Sequence, residues 1–214
     1  MSTVVSALAA TGPLAAAGWS VHSLWMRRQL NTARRDPLTR LWTRDAFTAR
    51  AQRLLRTPGA TVVLVDLDRF KPLNDTYGHA TGDAALVAVA ARLSAWCAAL
   101  GGVAGRLGGD EFTAIITPQH PADLPFSLHE LAQLLAGPVP FDGRELLLGA
   151  SIGAFVCDDL PVPSLERAWR RADEAMYAAK RSGGGWYIAD GPQPASPTVN
   201  GRRAGRRGTT PPAR

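Results

Sequence analysis

The chemistry this sequence can offer is concentrated in four carboxylates on two short stretches. TVVLVDLDRF ends an apolar run on Asp66 and Asp68, and RLGGDEF sets Asp110 and Glu111 directly after two glycines. Neighbouring carboxylates disfavour each other's ionised form, and a carboxylate leaving a buried strand is costly unless it meets a cation or water. Two explanations compete. Gly-Gly and Gly-Asp are ordinary turn dipeptides, which makes RLGGDEF a solvated hairpin tip. Alternatively, the acids gather a divalent metal such as Mg²⁺, which takes carboxylate and carbonyl oxygens and keeps positions open for phosphate. If strand and hairpin are neighbours in one sheet, Asp66 and Asp110 converge on a shared ion.

The elements that must position these acids form one α+β unit. TVVLVDLD reads as a buried strand, and GGVAGRL and FTAIIT are apolar runs that make a hairpin around the GGDE turn. TRDAFTARAQRLLR reads as an amphipathic helix with Thr43 as its N-cap. GDAALVAVAARLSAWCAAL is a long helix, LPFSLHELAQLLA another, and RELLLGASIGAFVC a strand or pair of strands. SLERAWRRADEAMYAAK places Leu165, Ala168, Trp169, Ala172, Ala175, Met176 and Ala179 on one helical face, a core stripe. GWYIA closes as a last strand, and no internal repeat is present.

Composition limits the function classes. The hydrophobic share of 46% supports a real core. Cys97 and Cys157 lie far apart beside large apolar residues, so they read as buried free thiols rather than a disulfide or metal pair. The net charge of +6 belongs to the flanks: residues 27–35 hold four arginines and no acid, and residues 189–214 hold five arginines and one aspartate. The remaining 36–188 carry 15 basic and 17 acidic residues, which implies no nucleic-acid surface on the globular part. Residues 4–26 form a 23-residue run without acid, Lys or Arg, followed at once by RRQLNTARR. That pattern predicts a single membrane span with the C-terminal side in the cytoplasm; the competing reading is an Ala-rich helix against a partner in a cytoplasmic protein. Residues 27–35 then form a basic juxtamembrane linker, and the Pro-, Gly- and Arg-rich 189–214 a disordered basic tail.

VDLDRFKPLNDTYGHATGDAAL, joined to RLGGDEF at this separation, resembles the GGDEF family of diguanylate cyclases. The resemblance runs from DPLTRLWTRDAF to ASIGAF and ADEAMYAAK and covers 36–188. It implies a palm-like antiparallel sheet flanked by helices, of the ferredoxin-like or nucleotidyl cyclase type. It also implies condensation of two GTP to cyclic di-GMP with release of two pyrophosphates, by a homodimer, with Mg²⁺ or Mn²⁺ as cofactor. Carried over by position, Asp66, the Leu67 carbonyl and Asp110 are implied metal ligands. Glu111 is implied as a further carboxylate near metal and 3′-hydroxyl, and either Asp110 or Glu111 as proton acceptor. Lys71 is implied to stabilise the phosphoryl-transfer state, and Phe70 and Lys71 begin a helical turn whose N–H groups can face phosphate. Gly108 and Gly109 leave room for the triphosphate to approach the backbone.

Asn74 and Asp83 are implied base readers. Guanine presents a pair of donors to a carboxylate, which adenine lacks. Asp83 also reads as a helix N-cap after Gly82. His79 occupies the family's GH position, as a substrate contact or a satisfied loop histidine, and Lys180 resembles the lysine that meets the terminal phosphates. Three departures stand out. Gly184 occupies a position where the family has arginine, Arg40 one where it has glycine, and Ala99–Gly102 carry no RxxD product-binding motif. A second reading is a catalytically weak nucleotide-binding module acting through protein contacts. Such modules tend to lose the GGDEF acids, all of which are present here.

Overall fold

The computed structural model describes residues 34–191, together with two two-residue strands, β9 (Thr198–Val199) and β10 (Arg202–Arg203). The expected membrane span over 4–26, nearly all of the basic linker and most of the 189–214 tail lie outside the described residues. Along the chain run β1 (Trp42–Thr43), α1 (Arg44–Leu54), β2 (Thr61–Asp68), α2 (Phe70–Tyr77), α3 (His79–Ala99), β3 (Val103–Gly108) and β4 (Glu111–Ile116). Then follow α4 (Leu124–Ala136), β5 (Val139–Phe141), β6 (Arg144–Leu146), β7 (Gly149–Val156), α5 (Leu165–Arg181) and β8 (Gly185–Ile188).

Six strands form one sheet in the order β1-β3-β4-β2-β7-β8. The four central strands are antiparallel, as expected, but both edges are parallel: β1 to β3 and β8 to β7. The sheet is therefore mixed, because β1 and β8 each reach their neighbour after a helical crossover rather than a hairpin.

β2 is central because its run of β-branched and apolar residues is covered on both faces. Val63, Val65 and Leu67 pack with Leu86, Val89 and Leu93 of α3 and Leu128 and Leu131 of α4. Val62 and Leu64 face the opposite layer, with Phe47 and Ala51 of α1 and Ala168 and Ala172 of α5. Alternation along the strand then carries Asp66 and Asp68 onto the α1/α5 face. Helix α5 lies close there because β7 offers Gly153, where a Cβ would fall 2.0 Å from the Ala172 carbonyl oxygen and 2.2 Å from the Met176 nitrogen. Any side chain at 153 lifts the helix. One turn beyond Met176 stands Lys180, so this approach is what brings the lysine over the end of β2.

Several elements differ from expectation. α3 starts at His79, so Asp83 sits inside a helix and is not an N-cap. Thr43 occupies the N-cap of α1 without a side-chain capping bond; its hydroxyl donates to the Arg34 carbonyl at 3.3 Å. The β5–β6 hairpin, only its second strand anticipated, forms a separate two-stranded sheet. Ser164 caps α5, accepting from the Arg167 N–H at 3.3 Å. Among the described residues one helix, α3, is long and apolar enough to cross a membrane, but its Leu86, Val89, Leu93 and Trp96 are buried in the core. Cys97 and Cys157 are buried and free, and burial pushes the Cys157 thiol up to about 12.

Candidate active site

The two acidic points meet at one corner of the sheet. Asp66, buried at 5% exposure, stands directly opposite Glu111 across the β2–β4 ladder. The Leu67 N–H donates to the Asp110 carbonyl at 3.3 Å, which ties the hairpin turn to the end of β2. Lys180 Nζ donates to Asp66 Oδ1 at 2.5 Å from the end of α5. Asp68 turns slightly aside: its Oδ1 accepts from Ser151 Oγ at 2.7 Å. Its Oδ2 lies 3.0 Å from where a Cβ at Gly184 would be, so the departure from arginine there leaves this corner open.

Electrostatics record the crowding. The Asp110 carboxyl is pushed above its ordinary value first by burial and then by the charge of Asp66, with a smaller push from Glu111 and an opposing pull from Lys180. One ammonium thus faces three carboxylates, an arrangement that a divalent cation would balance. Among the described residues no three His, Cys, Asp or Glu side chains form a metal cage. Glu111 nevertheless stands across the ladder from Asp66, and its charge reaches the Asp110 carboxyl. Two carboxylates and the Leu67 carbonyl still suit Mg²⁺, which keeps several ligand positions for water and phosphate.

The bare turn is held from outside. Gly108 and Gly109 have φ of 146° and 53°, and a Cβ at either would meet nothing within 4 Å. Positive φ, not packing, demands glycine, and the space above the turn is open. Arg106 curls back to donate from Nε and Nη2 to the Gly109 carbonyl at 3.1 and 2.8 Å, while Nη1 pairs with Asp36 at 3.0 Å. Asp36 in turn accepts from the Thr39 N–H and hydroxyl at 2.7 and 2.6 Å. Sequence reasoning missed this clamp. Asp36 and Arg106 both lay in stretches that drew attention, yet 70 residues separate them and nothing local pairs them.

The remaining residues line α2 and the start of α3. Arg69, with φ of 56°, turns the chain sharply from β2 into α2. Phe70 packs partly into the core, while Lys71 is exposed on the first turn. Asn74 lies against Gly82: a Cβ there would fall 1.9 Å from Asn74 Oδ1. That oxygen is buried without a hydrogen-bond partner among the described residues, and exposed Asp83 follows Gly82 directly. An orphaned acceptor beside a carboxylate is a place for a ligand's donors. His79 is exposed at the first position of α3.

Residues 33–185 match the model of the family described as diguanylate cyclase, GGDEF domain. The chain belongs to the GGDEF family of diguanylate cyclases. An uncharacterised 19.3 kDa protein of Streptomyces ambofaciens is 52% identical over 76% of this chain and 87% of its own length. Diguanylate cyclase DgcN of Escherichia coli K12 is 36% identical over 71% of this chain, which spans only 38% of DgcN. The solved GGDEF domain of TpbB (YfiN) from Pseudomonas aeruginosa is 32% identical and superposes with a TM-score of 0.68 over 73% of this chain and 94% of that one. The mixed sheet flanked by helices is thus the palm-like nucleotidyl cyclase fold, and the GGDEF turn lies at its acidic corner.

Proposed function

We propose that this GGDEF domain condenses two GTP molecules into cyclic di-GMP, releasing two pyrophosphates, with Mg²⁺ or Mn²⁺ bound by Asp66, the Leu67 carbonyl and Asp110. The observation that carries the reading is the convergence of Asp66, Asp110 and Lys180 beside an open glycine turn. A divalent cation bound there would favour ionisation of the attacking 3′-hydroxyl and neutralise the departing pyrophosphate. The chain's own residues do the rest. The 3′-oxygen attacks the α-phosphorus, the bond to the β-phosphate oxygen breaks, and the hydroxyl proton passes to Asp110 or Glu111. Gly108 and Gly109 admit the triphosphate, the N–H groups at Phe70 and Lys71 face it, and the Lys71 and Lys180 ammoniums offset its charge.

Base choice rests with Asn74 and Asp83. The carboxylate accepts guanine's N1–H and N2–H₂, the orphaned Asn74 amide adds polar contact, and exposed His79 borders the same entrance. One palm holds one GTP, so the product's two halves require a homodimer with facing sites. Residues 1–26 supply that encounter by confining the chain to a membrane, with the catalytic domain in the cytoplasm.

Incubating the purified full chain with GTP and Mg²⁺ should yield cyclic di-GMP and pyrophosphate in a one-to-two ratio. Stoichiometric GTP binding without turnover would replace this reading with that of a nucleotide-binding module. For the dimer, deletion of residues 1–26 should leave specific activity falling steeply on dilution, while the full chain in bilayers holds it. Equal dilution profiles would leave dimerisation to the palm alone.

A further inference from the structure

The described fold carries a strongly asymmetric charge that the cyclase reading does not use. Residues 34–56 hold seven arginines and two aspartates, whereas residues 57–188 hold ten basic and fifteen acidic residues. The basic excess gathers around Trp42. The guanidinium of Arg35 lies 3.3 Å from the centre of the indole ring and that of Arg50 3.2 Å. Arg34 and Arg53 are close enough to Arg50 that, after burial and the charge of Arg35, theirs hold its guanidinium below the ordinary value. Among the described residues none of these four arginines pairs with a carboxylate. Arg34, Arg35 and Arg53 are exposed.

Four like charges crowded together without an acid are costly in isolation and favourable against an anionic surface. We infer that the β1/α1 face built on Arg34, Arg35, Arg50 and Arg53 docks on an anionic phospholipid bilayer. Two features favour lipid over other polyanions. Trp42, half-buried against the core, holds the Arg35 and Arg50 guanidiniums close together over its ring, which presents fixed cationic groups of the kind that suit phospholipid headgroups. The patch also begins just after the uncharged run 4–26: eight residue steps separate Met26 from Arg34, at most about 28 Å of extended chain. A surface held that near the headgroups adds its charge to any attachment the run provides, and each arginine close to an anionic leaflet is worth roughly a fivefold gain.

The test uses the full chain with a fluorophore on Ala49→Cys, an exposed α1 position; the native cysteines are buried. Energy transfer to a headgroup acceptor is read in neutral phosphatidylcholine vesicles and in vesicles with phosphatidylglycerol added. Transfer should rise with the anionic lipid and collapse at about 1 M salt, where the Debye length is about 3 Å. Arg34→Gln with Arg53→Gln, two residues outside the catalytic machinery, should weaken the anion-dependent part by about tenfold or more, with cyclase activity in detergent unchanged. Association with neutral vesicles reports the 4–26 run separately. Equal transfer in both vesicles would overturn the inference, as would displacement from anionic vesicles by a short DNA duplex at equal charge concentration, which would reassign the patch to nucleic acid.

Discussion

The hairpins β5–β6 and β3–β4 are both closed by glycine-bearing turns, yet they differ in everything around the glycine. Asp142 and Gly143 join β5 to β6 with φ of 49° and 70°, the two-residue turn that suits the twist of a hairpin. Its acid projects from a satellite sheet. Gly108 and Gly109 make an equally bare turn, but Arg106 and Asp36 grip it from outside and Asp66 and Lys180 face it from within. Glycines therefore explain a turn in both places. What separates a site from a loop tip is the set of distant partners that give its acids an environment in which charge is unbalanced.

The sharpest way to break the comparison is to remove one acid from each turn. Asp110→Ala, or Asp66→Ala at its partner, should abolish cyclase activity while circular dichroism remains native. Asp142→Ala should leave activity within about twofold, as for surface changes generally. Wild-type turnover in either of the first two variants at millimolar Mg²⁺ would remove the basis for the metal assignment.

A smaller effect is expected at the base. Asp83→Ala should lose most discrimination between GTP and ATP, about 1–3 kcal/mol, because it removes the carboxylate that accepts guanine's donor pair. Competition assays measure it directly. If the variant still rejects ATP as the wild type does, base reading lies elsewhere.

The clamp should matter less again. Arg106→Gln should lower kcat by about tenfold, by loosening the geometry of the turn without removing a ligand. Burial alone would raise the Asp36 carboxyl; hydrogen bonds from Thr39 and Arg106, with the charge of Arg106, outweigh it and hold the group below its ordinary value. Its contribution to stability is thus complete above the ordinary carboxylate pKa and is lost as pH falls through the lower folded value. Asp36→Asn should remove that acid-side loss, worth at most about 1 kcal/mol. Identical acid unfolding curves would show that the pair holds the turn without stabilising the fold.

The smallest change concerns product. With Ala99–Gly102 lacking both arginine and carboxylate, micromolar cyclic di-GMP should alter initial rates by less than about twofold beyond competition at the active site. Strong non-competitive inhibition would reveal a product site built from other residues.

Much of the architecture was legible because it is local. LPFSLHELAQLLA coincides with α4, and SLERAWRRADEAMYAAK covers the Ser164 cap and all of α5 but its last residue, Arg181, because helical periodicity and capping act over a few residues. The β3–β4 hairpin was legible for the same reason. The parallel edges were not, since β1 and β8 are two and four residues long and take their partners across intervening helices. The start of α3 was misplaced because Gly82 looks like a boundary. In the fold it is a contact, bare so that Asn74 can lie on it.

The four acids, the glycine turn and the β3–β4 hairpin around it were determined by the sequence alone, since residue type and short-range spacing are written directly in it. The pairing of Lys180 with Asp66, the grip of Arg106 on Gly109 and Asp36, and the crowding that raises Asp110 were decided only by the tertiary structure. The physical reason is one of range. Propensity and periodicity act within a turn or a strand, whereas charge balance and close approach depend on which surfaces the packed core brings together, and here a single glycine, Gly153, lets α5 come near enough to do so.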